Sequence, residues 1–97
     1  MNKIHTEEMK RLYKAIIRLE NEEECAAFFE DLCTIRELND ISQRLQVAEM
    51  LNNGGIYQDI SKATGASTAT ICRVNKCLNY GSGGYKLAIA KLTEDEE

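Results

Sequence analysis

The chain has 97 residues and little of what several protein classes require. It contains no proline or tryptophan and one histidine, and its aromatic fraction is 6%. His5, near the N-terminus, suggests no Ser-His or Cys-His pair for nucleophilic catalysis, and no glycine-rich loop opens a helix in a βαβ context. We therefore predict that the protein is not an enzyme.

The four cysteines also lack the spacing of a metal site. They are Cys25, Cys33, Cys72 and Cys77, and no two form a CxxC pair. The sequence predicts no metal and no cofactor, and reduced thiols of this kind are typical of a cytoplasmic protein. No apolar run has the length of a secretion signal or a membrane span, so we expect a cytoplasmic location and no membrane partner.

The apolar residues that are present recur three and four positions apart, which predicts one all-α domain of six helices over residues 1–97. Thr6 and Asn21 have the chemistry of N-terminal caps for the first two helices. The first helix should extend to about Glu20. Its apolar stripe consists of Met9, Leu12, Tyr13, Ile16 and Leu19.

The third helix is predicted to be the longest and to serve as the scaffold. Thr34 and Glu37 have the spacing of a capping box at its start, and it should run to about Asn52. A last short helix is expected over residues 85–92, after a flexible glycine-rich joint. Residues 93–97, of sequence TEDEE, are expected to form a solvated acidic tail.

Between these elements, residues 56–78 have the pattern of a helix-turn-helix. The sequence predicts a short helix over residues 57–64, a turn at Gly65, and a second helix that begins at Ser67 or Thr68 and runs to about Leu78. This second helix, 67–78, is the one expected to read DNA. Glycine suits the end of a helix, because that position commonly needs a positive φ. Serine and threonine are both effective N-terminal caps.

Spacing also indicates how the two short helices pack. Ile60 lies on the first, and Ile71 and Val74 recur where the second would face back onto it. Helices that cross steeply touch through few side chains, and small or branched residues stand at these positions. An ordinary helical hairpin in an all-α core would show the same pattern, so packing alone does not establish a function.

On the outward face of the second helix, the side chains should be short at the N-terminal end and basic further along. Its residues are Thr68, Ala69, Cys72, Arg73 and Lys76. This order suits a helix that enters the major groove end-on, with small side chains near base edges and cations near phosphates. The net charge of the chain is −4, but residues 56–79 carry three basic residues and one acidic residue, a balance of +2.

Several segments of the chain resemble the Trp repressor family. They are LCTIRELNDISQRLQVAEML, Gly54, Gln58, GA at 65–66 and ATICR at 69–73. The segments FFEDLCT, SQR and GASTATI are similar to the small Trp-repressor-related branch of Gram-positive bacteria. The resemblance implies an intertwined homodimer with residues 1–53 and 85–92 in the dimer core. It also implies that residues 56–79 form a projecting DNA-binding head, the geometry for which Trp repressor is itself a standard example.

The resemblance further implies positions for DNA and for a small effector. The DNA-reading positions are Gln58, Ser61, Ser67, Thr68, Ala69 and Cys72, and Trp repressor itself reads DNA largely through water. The effector positions are Thr34, Arg44 and Arg73. Each arginine has alternative interpretations, as a phosphate contact or a solvated charge. The family glycine after the second arginine is Val74 here, and Cys77 replaces a pocket serine, which argues against tryptophan as the ligand.

Together these observations predict a sequence-specific, DNA-binding transcription regulator, most simply a repressor, with double-stranded DNA and a second copy of the chain as its partners. The alternative is a protein-interaction module that keeps the helix-turn-helix scaffold without specific DNA readout. The overall charge of −4 favours that alternative.

Overall fold

The computed structural model describes residues 3–96, and within that range all regular structure is α-helical. The six helices are α1 (Glu7–Ile17), α2 (Glu22–Leu32), α3 (Ile35–Asn52), α4 (Tyr57–Thr64), α5 (Thr68–Tyr80) and α6 (Gly84–Glu96). The predicted all-α fold of six helices is confirmed. Met1 and Asn2 of the predicted dimer core, and Glu97 of the predicted tail, lie outside the described residues.

The helix starts follow from the caps in the sequence. The Met9 amide donates to Thr6 Oγ1 at 3.1 Å, and the Glu24 amide donates to Asn21 Oδ1 at 2.9 Å. The capping box of α3 forms in both directions: the Thr34 amide donates to Glu37 Oε1 at 2.9 Å, and the Glu37 amide donates to Thr34 Oγ1 at 3.1 Å. Each of these bonds satisfies an amide that has no partner inside its helix.

Three helix ends differ from prediction. Helix α5 ends at Tyr80, two residues beyond the expected Leu78. Helix α1 ends at Ile17 rather than near Glu20, because the chain turns into the next cap: the Glu20 amide donates to Glu24 Oε1 at 2.9 Å. Helix α6 continues to Glu96 rather than stopping near Leu92, so residues 93–96 are helical rather than an irregular tail. The Thr93 hydroxyl donates to the Ile89 carbonyl at 3.0 Å, and extending a helix that already exists requires far less ordering than starting one.

The chain forms two compact units, Met1–Leu38 and Asn39–Glu97. Every buried residue in the described range belongs to the second unit. They are Val47, Ala48, Ile60, Ala66, Ile71, Val74, Leu78 and Ile89. They form one apolar cluster contributed by α3, α4, α5, α6 and the turn before α5. The helix pairs that approach most closely are α4 with α5 and α5 with α6.

Candidate nucleic-acid interface

Helices α4 and α5 are joined by the apolar contacts that their spacing predicts. Ile60 and Ile71 are 0% exposed and Val74 is 1% exposed, and all three belong to the buried cluster. Ala66, in the turn, is also buried. The predicted packing of a helix-turn-helix is therefore present, and α5 is supported along its inner face.

The turn itself depends on one glycine. Gly65 has a φ of 76°, in the left-handed region, and its amide donates to the Ser61 carbonyl at 2.8 Å. A Cβ placed there would lie 4.0 Å from the nearest atom, Gln43 Nε2. Glycine is thus favoured at this position by the backbone conformation and not by lack of space.

Side-chain hydrogen bonds hold the rest of the turn. The Thr64 hydroxyl donates to the Ile60 carbonyl at 2.7 Å and accepts from the Ala66 amide at 3.1 Å. The Gln43 side chain, on α3, donates from Nε2 to the Thr64 carbonyl at 3.1 Å. Gln43 was not predicted from the sequence, because its partner lies 21 residues away and no local pattern links the two.

Of the two candidate caps for α5, the structure uses Ser67. The Thr70 amide donates to Ser67 Oγ at 3.2 Å, and the Ser67 hydroxyl donates to Thr70 Oγ1 at 3.1 Å. Thr68 is then the first helical residue, and the first turn of α5 contains no acidic residue. The amides at this end, together with the helix dipole, attract anions such as phosphate.

Most of the predicted DNA-reading side chains are solvent-exposed. Those exposed on α4 and α5 are Gln58, Thr68, Ala69, Cys72, Arg73 and Lys76; Ser67 before α5 is exposed too. Ser61 is half-buried, and its hydroxyl donates to the Ala66 carbonyl at 2.9 Å, which leaves only its lone pairs for a ligand.

Three of the predicted residues lie together. Gln58, Ser61 and Thr68 line one shallow depression of about 460 Å³, with Tyr57 and Lys62 completing its wall. Neither Tyr57 nor Lys62 was predicted from the sequence as a site residue. Lys62 follows Gln58 by one helical turn and is one of three cations in residues 56–79, a signal that could have identified it.

Tyr57 links α4 to the outer face of α5. Burial raises the pKa of its hydroxyl, and the adjacent Cys72 thiol raises the pKa further, whereas a hydrogen bond with the Asn75 side chain lowers it. The hydroxyl therefore stays neutral at physiological pH. A neutral Tyr57 adds no negative charge to the surface that holds the predicted DNA-reading residues.

The three predicted effector residues have different surroundings. Thr34 belongs to the first unit and uses its amide and hydroxyl in the capping box. Arg44 is half-buried and lines an apolar depression of about 560 Å³ together with Cys77 and Tyr85. Arg73 is exposed and does not line that depression. Val74 was predicted to fill the space that a flat ligand ring would need and to pack between the helices. It is part of the buried cluster.

The described part of the chain lacks the features of a metal site and of a membrane span. Residues 3–96 hold no group of three or more histidine, cysteine, aspartate or glutamate side chains placed to bind a metal ion. None of the helices described is both long enough and apolar enough to span a bilayer. All four cysteines have free thiols.

Comparisons with known proteins agree with this geometry. The family model described as Trp repressor protein matches residues 7–93. The uncharacterised protein YerC of Bacillus subtilis (strain 168) is 47% identical over 96 residues, which is 99% of this chain and 92% of that protein.

Two solved structures share both the fold and the sequence. A TrpR-like protein from Eubacterium eligens ATCC 27750 has a TM-score of 0.91 and 47% identity, and the match covers 96% of each chain. A Staphylococcus aureus protein described as a candidate Trp repressor has a TM-score of 0.90 and 42% identity, again over 96% of each chain. The chain belongs to the Trp repressor family, in its small Trp-repressor-related branch of Gram-positive bacteria.

Proposed function

We propose that the protein is a dimeric, sequence-specific, DNA-binding transcription regulator, most simply a repressor, which places α5 in the major groove of its operator. The observation that carries the proposal is the packed helix-turn-helix. Its α5 presents a capped N-terminus, short side chains and two cations on the face opposite the buried residues Ile71 and Val74. Family membership supports the same function.

The order of side chains along α5 suits end-on entry. Thr68 and Ala69 are small and exposed at the N-terminal end, where a recognition helix meets base edges. Arg73 and Lys76 follow one and two turns later, where phosphates pass the helix. Short side chains leave room for water between protein and bases, so we propose that part of the readout is water-mediated or depends on DNA shape.

A dimer supplies what one copy lacks. The balance of +2 on residues 56–79 is small for a duplex ligand, and two copies double it. The first unit also leaves the apolar side chains of residues 3–38 half-buried at best, so a second copy would cover them. Two α5 helices related by a twofold axis would read half-sites one helical turn apart, about 34 Å, on a near-palindrome.

An effector remains part of the proposal through Thr34, Arg44 and Arg73. Of these three residues, Arg44 is the one that lines a concave apolar depression. Tryptophan is not the ligand we propose for it, because Val74 places a branched side chain where the family has glycine.

Selection from random duplexes at low salt tests the function directly. We expect a preferred, near-palindromic sequence; no preference would contradict the proposal. Arg73→Ala should weaken binding to the selected duplex by roughly tenfold, about the value of one arginine contact, and leave the dimer intact. Lys91→Ala is the matched control, because it removes an exposed cation on α6, outside the proposed interface.

The second candidate function is a protein-interaction module, which the overall charge of −4 favours. A salt titration separates the two. Phosphate contacts make affinity fall steeply with rising salt, since each one releases condensed counterions. An apolar contact with a polypeptide would hold its affinity over the same range.

A further inference from the structure

Helix α1 carries a row of cations that the helix-turn-helix does not use. Arg11 and Lys14 lie on α1, and Arg18 is its C-cap residue, which keeps a right-handed helical backbone. The three recur at i, i+3 and i+7 and therefore lie on one side of α1 and its cap. All three are solvent-exposed, and with Ala15 they line a shallow depression of about 380 Å³. We call these three cations the α1 basic row.

The α1 basic row lies on the side of the helix opposite its apolar stripe. At 100° per residue, Arg18 is 160° from Ile16 around the axis, and Arg11 and Lys14 lie within about 40° of Arg18. The partly covered residues of α1 are Met9, Leu12 and Ile16. If the apolar stripe is covered by a second copy, the basic row therefore still faces outward.

In the part of the chain that the structure describes, no acidic side chain forms an ion pair with the α1 basic row. Two acids, Glu7 and Glu8, lie one turn before Arg11. Within residues 3–96 the one ion pair joins Lys10 Nζ to Glu7 Oε1, at 3.5 Å, so neither acid forms an ion pair with Arg11. The other acids of the first unit are concentrated in and around α2: residues 20–33 hold six acidic and no basic residues, whereas residues 3–19 hold five basic and two acidic. Like charges spaced by one helical turn repel each other, and a bound anion would relieve that repulsion.

We propose that the α1 basic row is a second phosphate-binding surface, which holds the backbone of duplex DNA in addition to the contacts of the helix-turn-helix. This inference rests on the proposed DNA-binding function. Duplex DNA fits the row because it presents phosphates in a regular line and because residues 56–79 supply a balance of only +2. Contacts of this kind add affinity without sequence information.

The test uses the full-length protein and the duplex recovered by selection. The triple variant Arg11→Gln/Lys14→Gln/Arg18→Gln removes the row, and Arg36→Gln/Lys86→Gln/Lys91→Gln is a control with the same change in net charge at exposed positions. Circular dichroism and sedimentation establish that both variants fold and assemble like the parent. The measurement is the slope of log affinity against log salt.

We expect the slope of the row variant to be shallower than that of the control, by about 0.9 for each phosphate that the variant no longer neutralises. Its preference for the selected over a scrambled duplex should be unchanged. Arg11→Lys/Arg18→Lys, which keeps the charge, should retain the parental slope. Equal slopes for the row variant and the control would overturn the proposal.

Two other outcomes distinguish the alternatives. If the parent protein binds no duplex, the DNA-binding function fails and this inference fails with it. If the parent binds duplex and the row variant keeps the control's slope but no longer binds phosphatidylglycerol vesicles that retain the parent, the row serves an anionic lipid surface. That result would overturn the DNA assignment while leaving the helix-turn-helix function intact.

Discussion

The two compact units of the chain differ in what they bury. In the second unit, helices α3, α4, α5 and α6 contribute side chains to a cluster whose central members are 0% exposed. In the first unit, no described residue is buried, although α1 is strongly amphipathic and α2 also carries apolar side chains. Ile17 is 78% exposed and Leu32 is 51% exposed.

This difference separates two uses of apolar residues. The second unit closes its core within one chain, so its helix-turn-helix can hold its shape without help. The first unit has apolar residues at helical spacing, but within one chain its described residues do not enclose a buried core. A stripe of this kind needs another surface to cover it, and under the proposed function that surface is a second copy of the chain.

The largest expected effect breaks the closed core. Ile71→Ala truncates a side chain that is 0% exposed, and because this side chain belongs to the buried cluster, a cavity should remain. We expect the free energy of unfolding to fall by about 2–5 kcal/mol, measured by urea denaturation. The matched control is Ile17→Ala in the first unit, which is 78% exposed and should change the same quantity far less. Equal losses for both variants would remove the contrast between the units.

The next effect addresses the unit that lacks a core. Ile16→Glu places a charge in the half-buried stripe of α1. If a second copy covers that stripe, the charge would be desolvated without a partner, and the dimer dissociation constant should rise at least tenfold, about 1.4 kcal/mol. Analytical ultracentrifugation measures this directly. Lys14→Glu, on the opposite exposed face, is the control; a parent protein that sediments as a monomer would contradict the dimer.

The same contrast explains which features the sequence could predict. Caps and turns depend on residues within four positions of one another, and Thr34, Glu37 and Gly65 were correctly assigned from that spacing. The end of α1 could not be predicted in this way. The helix ends at Ile17 because the chain then turns to place Asn21 as the N-terminal cap of α2. Helix α6 continued beyond its apolar residues, because hydrogen bonding along an existing helix extends through polar ones.

Contacts between distant segments carried no readable signal. Gln43 reaches the Thr64 carbonyl across 21 residues, and Tyr57 adjoins Cys72 from another helix. Neither pairing has a spacing or a residue type that distinguishes it beforehand. By contrast, the packing of Ile60 with Ile71 and Val74 was predictable, because two amphipathic helices joined by a short turn have few ways to bury their apolar faces.

A smaller effect is expected from a substitution that disturbs the backbone conformation of the turn between α4 and α5 and leaves the buried cluster unchanged. Gly65→Ala should lower the free energy of unfolding by about 1 kcal/mol, because alanine is disfavoured at a φ of 76° even though its Cβ would meet nothing closer than 4.0 Å. Gly84→Ala is the control: it begins α6 with open space around it, and should be neutral or stabilising by about 0.4–1 kcal/mol. Thermal unfolding of both variants measures the pair, and a loss at Gly84 equal to that at Gly65 would refute the conformational explanation.

The smallest effect belongs to the first unit and concerns a local bond that needs no core. The backbone hydrogen bond from Thr34, and then its side-chain bond, lower the pKa of Glu37 from its ordinary value of 4.5. The folded protein therefore binds this proton more weakly than the unfolded chain. The contribution of Glu37 to stability is present above pH 4.5 and is lost as the pH falls through the lowered pKa.

A Glu37→Gln variant keeps a capping side chain without the titration, so the difference in unfolding free energy between parent and variant should shrink as the solution is acidified through this range. Because the carboxylate is exposed, the change should be small and weaker at high salt, and a difference that stays constant with pH would show that the capping box is not linked to this proton.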